Sequence, residues 1–321
     1  MASSTRVSRA SRISLSELTW VAAWLVLALV LLVGVVFAPQ IVALDHAPTL
    51  LRQAAPLGMV AIGQTILIIG RGFDLSVGGL IGLINVFAAG AIAQRLGLIG
   101  LVLLATATAV VVGAINGALV VWGRISPLVA TLGMGFLLTG AMLVYSGGAP
   151  SQSVPDSLLA IEAGRFLGLY WGTWIWLAAA FTGVLVLRIT VVGRWIYALG
   201  SNAEVARLSG VPVSRVTILS YVTSSLCATV GGLLLAGFVG IGTLGAGQGL
   251  LLNSIAAAIV GGTLLVGGRG GLGGTVGGVL LLTVLSALLT AFGFGEALNL
   301  LLLGLVLLGA ASLFRRGQGR A

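Results

Sequence analysis

Long apolar stretches alternate with short polar ones along the whole chain. A helix needs about 20 apolar residues to cross a bilayer, and ten stretches meet or approach that length. They cover residues 18–37, 48–69, 75–93, 96–122, 127–145, 171–191, 216–241, 250–266, 272–292 and 297–314. The pattern predicts an all-α, polytopic integral membrane protein of about ten transmembrane helices, with a transmembrane domain at 18–314 between tails at 1–17 and 315–321.

The composition supports this assignment and limits the function. Hydrophobic residues make up 59% of the 321 residues and charged residues only 7%, whereas charged residues form about a quarter of a soluble domain. The net charge of +9 would suggest nucleic-acid binding in a soluble protein. Here the arginines lie in the gaps between apolar stretches, where they set the orientation in the membrane. We therefore expect the lipid bilayer as a partner and no nucleic acid.

The arginines are divided unequally between the two sides of the predicted bundle. With a cytoplasmic N-terminus, only Arg52, Arg95 and Arg165 fall outside, which leaves 13 of the 16 basic residues inside. The inner ones are Arg6, Arg9, Arg12, Arg71, Arg124, Arg188, Arg194, Arg207, Arg215, Arg269, Arg315, Arg316 and Arg320. This imbalance follows the positive-inside rule and predicts that both termini are cytoplasmic.

The residues that the chain lacks exclude several kinds of chemistry. It contains no lysine, so it cannot form the phosphate-binding loop GxxxxGK[ST] of an ATPase. Its single Cys227 and single His46 leave no Cys/His cluster for a metal. Paired carboxylates and a His/Ser constellation are also missing, which argues against a membrane-embedded enzyme. We expect no catalytic residue, metal or cofactor in this chain.

One polar segment, GSNAEVARLSGV at 200–211, separates two apolar stretches within the predicted cytoplasmic loop 192–215. Ser201 and Glu204 have the spacing of a capping box, in which each side chain accepts a hydrogen bond from the other residue's backbone NH. Gly210 and Pro212 predict the end of the helix. Because a helix of about two turns is marginal alone, we expect it to dock on a partner protein.

Asp74 lies in GRGFDLSVGG, between the second and third predicted spans. Its carboxylate can cap the next helix beside Ser76, or it can act as a buried ion partner or gate. Both interpretations remain open at this point.

Four uncharged polar residues lie inside predicted spans: Asn85, Asn116, Thr131 and Asn253. They can line a path for a neutral solute, or they can hydrogen-bond neighbouring helices to each other. No ladder of Asp, Glu, His or Arg crosses a span, which argues against a proton relay. A neutral cargo fits this pattern better than a charged one.

Four ordered motifs resemble the membrane permeases of bacterial monosaccharide ABC importers, the ribose permease family. They are GRGFDLSVGG from Gly70, ISPLVATLGM from Ile125, GRWIYALGSNAEVARLSGV from Gly193 and IAAAIVGGTLLVGGRGGLGGTVGGVLLL from Ile255. The resemblance implies a type II-like importer permease in the bacterial inner membrane. It also implies a second copy of the permease, a cytoplasmic ATPase that uses ATP and Mg²⁺, a periplasmic or lipid-anchored sugar-binding protein, and a small sugar or polyol as cargo.

In that family the matching cytoplasmic segment is the helix that couples the permease to its ATPase. The residues that the match assigns to coupling are Gly200, Ser201, Asn202, Glu204, Ala206, Arg207, Leu208, Ser209 and Gly210. The rival readings are an ABC permease for branched-chain amino acids or nucleosides and a stand-alone secondary carrier. The first is disfavoured by DLSVG and ARLSG together, and the second leaves the capped helix unexplained. The sequence leaves open which sugar is carried and whether the two permeases of the complex are identical.

Overall fold

The apolar stretches fold as helices in the computed structural model, which describes residues 15–149 and 153–295, together with 297, 298, 300, 301, 304 and 305. The helices are α1 (Leu15–Phe37), α2 (Pro39–Val42), α3 (Ala47–Ile69), α4 (Val77–Ala88), α5 (Ala91–Val121), α6 (Pro127–Ser146), α7 (Asp156–Ala163), α8 (Trp171–Ile189), α9 (Val191–Ser201), α10 (Ala203–Leu208), α11 (Val213–Val239), α12 (Ala246–Val260) and α13 (Leu272–Ala291). A 3-10 helix at Leu44–His46 precedes α3, and strands β1 (Arg165–Phe166) and β2 (Leu169–Tyr170) form an antiparallel hairpin.

The predicted all-α membrane architecture is confirmed, but ten spans are not. Six helices in the described part of the chain are long and apolar enough to cross a membrane. The predicted span 75–93 is wrong, because α4 ends at Ala88 and α5 begins at Ala91 after the extended residue Gly90. With 12 residues, α4 is about 18 Å long and cannot cross a hydrocarbon core of about 30 Å. The tenth predicted span and both tails lie largely outside the described residues.

Helix α3 forms the centre of the bundle. Of its most apolar stretch, 89% is buried, compared with 28% for α5, α6 and α8. Small residues let the surrounding helices approach closely, since a β-carbon at Gly63 would lie 2.8 Å from the Cα of Ser224 in α11. Likewise, a β-carbon at Gly278 of α13 would lie 2.2 Å from the carbonyl oxygen of Ala257 in α12.

Helices α9 and α10 lie at one end of the bundle, beside the loop 70–76 that follows α3 and the loop 261–271 that precedes α13. We call this end the α10 side. Helix α7 and the hairpin lie at the opposite end, where Arg52 of α3 donates from Nε to Oε1 of the buried Glu162 at 3.1 Å. Burial raises the pKa of Glu162, and the Arg52 guanidinium opposes that shift. The ion pair holds α7 against the first turns of α3.

Candidate functional site

Helix α10 is capped by Asn202, not by the predicted capping box. The Oδ1 of Asn202 accepts hydrogen bonds from the backbone NH groups of Glu204 at 3.0 Å and Val205 at 3.1 Å. Ser201 instead belongs to the last turn of α9, where its hydroxyl donates to the carbonyl oxygen of Tyr197 at 2.9 Å. The Ser201–Glu204 pairing is therefore wrong, because α9 continues through Ser201 and α10 starts two residues later.

The Glu204 carboxylate is directed along α10 rather than back to its start. It pairs with Arg207 at 2.6 Å, and the guanidinium hydrogen bond and charge hold the pKa of Glu204 below its usual value. Both side chains are solvent-exposed, so the pair contributes little to stability.

The end of α10 is as predicted. Gly210 has φ 81°, in the left-handed region that favours glycine, and the NH of Val211 donates to the carbonyl oxygen of Ala206 at 3.0 Å. Ala206 faces the bundle and is buried, whereas Leu208 is 74% exposed and Val205 57% exposed. Helix α10 therefore presents an apolar face, beyond the end of the bundle, that no described residue covers.

A tight junction connects α9 and α10 to the loops at the ends of α3 and α13. The NH of Gly268 donates to the carbonyl oxygen of Ile69 at 2.8 Å. Gly200 lies directly against both groups, since a β-carbon there would be 1.8 Å from the oxygen of Ile69 and 2.5 Å from the nitrogen of Gly268. Only a glycine fits this position. We call these three residues the loop junction.

Two further hydrogen bonds support the loop junction. The hydroxyl of Tyr197 in α9 donates to the carbonyl oxygen of Gly270 at 2.8 Å. From the other loop, the Nε of Arg71 donates to the carbonyl oxygen of Val266 at 2.8 Å. Helix α9, which leads into α10, is thus in direct contact with the loops that follow α3 and precede α13.

Asp74 lies in a buried polar network where loop 70–76 re-enters the bundle. Its Oδ1 accepts hydrogen bonds from both the backbone NH and the hydroxyl of Ser76, at 2.9 and 2.5 Å. Asn116 of α5 donates from Nδ2 to the Ser76 hydroxyl at 2.9 Å, and Gln64 of α3 donates from Nε2 to the carbonyl oxygen of Asp74 at 2.6 Å. All four side chains have 0% exposure. These hydrogen bonds hold the loop before α4 against α3 and α5.

This geometry corrects the interpretation of Asp74 as a helix cap, and its role as a gate stays a prediction. The residue that precedes α4 is Ser76, whose side chain makes no cap hydrogen bond, so Asp74 does not cap the helix at the interface but forms a turn two residues earlier. No described Arg side chain pairs with Asp74. The hydroxyl of Ser224 in α11 lies within electrostatic reach of the carboxyl group, without hydrogen-bond geometry.

Thr131 joins the same region, whereas two other predicted polar residues lie elsewhere. The Thr131 hydroxyl in α6 accepts from the NH of Leu75 at 3.0 Å. Asn85, near the far end of α4, accepts from the NH of Thr243 at 2.8 Å. Asn253 in α12 lines a separate cavity. The structure therefore brings together Asp74, Ser76, Asn116 and Thr131 but not Asn85 and Asn253.

Sequence reasoning missed Gln64, Tyr197 and Gly268. An uncharged amide inside an apolar stretch is the signal that could have indicated Gln64. For Tyr197 and Gly268 the sequence carries no such signal, because their partners are backbone atoms of distant loops.

The corrected cap yields a prediction for α10. Asn202→Ala should destabilise the helix by about 1 kcal/mol, since two NH groups lose their acceptor, and should lower transport several-fold. Ser201→Ala is the matched control: it removes only a hydroxyl that bonds within α9 and should leave transport close to wild type. Uptake by the two variants at equal membrane levels tests this prediction. A stronger effect of Ser201→Ala would instead support the capping box of Ser201 and Glu204.

The described part of the chain is thus a bundle of membrane-length helices with an exposed, capped helix at one end. The chain belongs to the family described as branched-chain amino acid transport system / permease component, whose model matches residues 47–311.

The relatives are named as import permeases. The chain is 32% identical over 307 residues to the ribose import permease protein of Escherichia coli, covering 92% of this chain and 96% of that protein. It is 35% identical over 253 residues to the autoinducer 2 import system permease protein of Klebsiella pneumoniae, covering 79% of this chain and 74% of the relative. A probable ABC transporter permease protein of Escherichia coli is 33% identical over 285 residues, covering 89% and 86%. No solved structure matches the chain.

Proposed function

We propose that this chain is the membrane permease of an ABC importer that carries a monosaccharide or a related small polyol across the bacterial inner membrane. The observation that carries the proposal is the near full-length similarity to a ribose import permease. The family model bears a description of branched-chain amino acid transport, so an amino acid permease is the second candidate. The name of the ribose import permease favours the sugar.

In the proposed mechanism, the chain performs no covalent chemistry and binds no nucleotide. A partner ATPase binds ATP and Mg²⁺. The apolar face of α10 contacts this ATPase through Val205 and Leu208. Closure of the ATPase displaces α10, and the loop junction carries the displacement to the ends of α3 and α13. The permease then alternates between its two open states, and a sugar-binding protein outside the membrane selects the cargo.

The partners of the proposed complex are a second permease copy, the ATPase and a periplasmic or lipid-anchored binding protein. The helical surface supports the pairing, since bulky apolar side chains are exposed along α6 and α5, as in Phe136 at 70% and Leu103 at 65%. In the membrane these side chains contact lipid or another transmembrane chain.

Transport of a sugar panel tests the proposal directly. The permease, its genomically neighbouring ATPase and binding protein are reconstituted in liposomes, and ATP-dependent uptake of labelled pentoses, hexoses and leucine is measured. We expect uptake of at least one sugar and none of leucine. Uptake of leucine alone would show that the cargo is an amino acid and not a sugar.

The proposed orientation predicts which thiols are accessible. In a Cys227→Ser background, Ser153→Cys should react with a membrane-impermeant maleimide added to intact cells, whereas Ser201→Cys should react only after permeabilisation. Both positions are exposed and lie at opposite ends of the bundle. The expectation rests on the 13 of 16 basic residues predicted inside. Labelling of Ser201→Cys from outside would show that the proposed topology is inverted.

A further inference from the structure

A second feature of the bundle lies away from α10 and the buried network. A cavity of about 470 Å³ opens among α3, α12, α13 and the 3-10 helix. Its size is within the range of about 300–1,000 Å³ that is usual for small-molecule sites. We call it the vestibule, and its polar lining includes His46, Gln53, Asn253 and Thr283.

The vestibule lies beyond the start of α12, which begins beside the first turn of α4. A β-carbon at Gly247, in the first turn of α12, would lie 1.9 Å from the carbonyl oxygen of Gly78, in the first turn of α4. The neighbouring Gly79 contacts Gly135 of α6, which is eight residues into that helix, or about 12 Å from its end on the α10 side. Helix α12 therefore does not reach the opposite face.

The segment that leads into α12 packs along α4 and does not cover the start of α12. Gly242 lies against Ala89, and the NH of Thr243 donates to Asn85 at 2.8 Å. Among the described residues, the vestibule takes up the volume beyond the start of α12, between Asn253 of α12 and His46, which precedes α3. Thr283 lies on the wall formed by α13.

Two polar side chains of the vestibule are available to a solute. Gln53 and Asn253 make no hydrogen bond within the described part of the chain. An amide that faced hydrocarbon without a partner would be strongly unfavourable, so we expect water or a polar ligand in front of both. Each amide can donate and accept, which matches the hydroxyl groups of a neutral polyol. No carboxylate or guanidinium is among the described lining residues.

We propose that the vestibule is the outward-facing section of the translocation path and that it receives a neutral polyhydroxylated solute, with Gln53 and Asn253 as hydrogen-bonding residues. This assignment rests on the proposed function for its cargo. Its α3 lining adjoins Arg52, which contacts α7 on the side opposite α10, and a binding protein would release a sugar on that side. Asn253 was a candidate for the path from the sequence, while Gln53 and His46 are assigned by the structure alone.

Accessibility tests the vestibule without any assumption about cargo. In full-length, Cys227→Ser permease in intact cells, Asn253→Cys is compared with the adjacent Leu252→Cys, whose side chain is 54% exposed and does not line the cavity. A charged, impermeant thiosulfonate added outside should modify Asn253→Cys at least tenfold faster. Equal rates, or a disulfide between the Asn253→Cys residues of two copies with no labelling, would overturn the proposal.

Transport by the reconstituted complex tests the role in binding. At equal membrane levels, Asn253→Leu and Gln53→Leu should each reduce uptake of the transported sugar about tenfold or more. Unchanged uptake in both variants would remove them from the path. If the wild type transports no sugar but Asn253→Cys is labelled, the vestibule is confirmed and the proposed cargo is wrong. If sugar is taken up but Asn253→Cys is not labelled, the proposed cargo is confirmed and the vestibule is wrong.

Discussion

Gly200→Ala is expected to abolish coupled transport, although it adds a single methyl group. That group would lie 1.8 Å from the carbonyl oxygen of Ile69 and 2.5 Å from the nitrogen of Gly268. Backbone atoms cannot rotate away as a side chain can, so α9 must separate from both loops and the Gly268–Ile69 hydrogen bond is lost. Overpacking of this kind costs about 1–3 kcal/mol. We expect uptake and sugar-stimulated ATPase activity to fall at least tenfold.

The matched control is Gly133→Ala in α6, where a β-carbon would meet nothing within 4 Å. It should leave uptake and thermal stability at the wild-type level. Tyr197→Phe separates coupling from folding, since it removes only the hydrogen bond to Gly270 and adds no atom. We expect it to lower stimulated ATPase activity several-fold with little change in stability. Normal stimulation in Gly200→Ala would show that the loop junction does not transmit the motion.

Asp74→Leu is expected to produce the second large loss. The backbone NH and the hydroxyl of Ser76 would both lose their acceptor in a site with 0% exposure. An unsatisfied buried donor costs about 1–3 kcal/mol. We expect a lower melting temperature of the detergent-solubilised permease and little or no uptake.

Asp74→Asn distinguishes the hydrogen bonds from the charge. Its side-chain oxygen can keep both bonds to Ser76, and its amide can donate to buried oxygens of Gln64 or Asn116 that lack partners. Stability and most of the uptake should therefore be preserved. If Asp74→Asn abolishes uptake as completely as Asp74→Leu while its melting temperature stays at wild type, the charge itself is functional and the structural role proposed for Asp74 is wrong.

The α10 segment shows how far local sequence rules extend. The pattern predicted a short, capped polar helix that ends at Gly210, and the helix and its end are confirmed. The capping residue was assigned one position too early, to Ser201 instead of Asn202. Both residue types can cap, and the choice depends on where α9 stops. Helix α9 continues through Ser201 because Gly200 packs on Ile69 and Gly268, which are distant in the sequence.

The re-entrant segments show a different limit. Hydropathy predicted one span over 75–93, but the structure has the half-length helix α4 and a break at Gly90. An apolar window has the same hydropathy whether its chain forms one continuous helix or a broken one. A break is tolerated when the freed backbone groups find hydrogen-bond partners. Those partners are buried side chains on other helices, such as Gln64 for the carbonyl of Asp74 and Thr131 for the NH of Leu75.

By itself, the sequence determined that this chain is a multi-span membrane protein with an exposed, glycine-terminated helix between two spans. These properties depend on composition and on residues only a few positions apart, since bilayer thickness and helix capping act locally. The tertiary structure alone decided which polar residues meet at Asp74, why Gly200 must be a glycine, and that α12 begins beside the first turn of α4, next to the vestibule. Each of these depends on the close approach of backbones distant in the sequence, which no periodicity encodes.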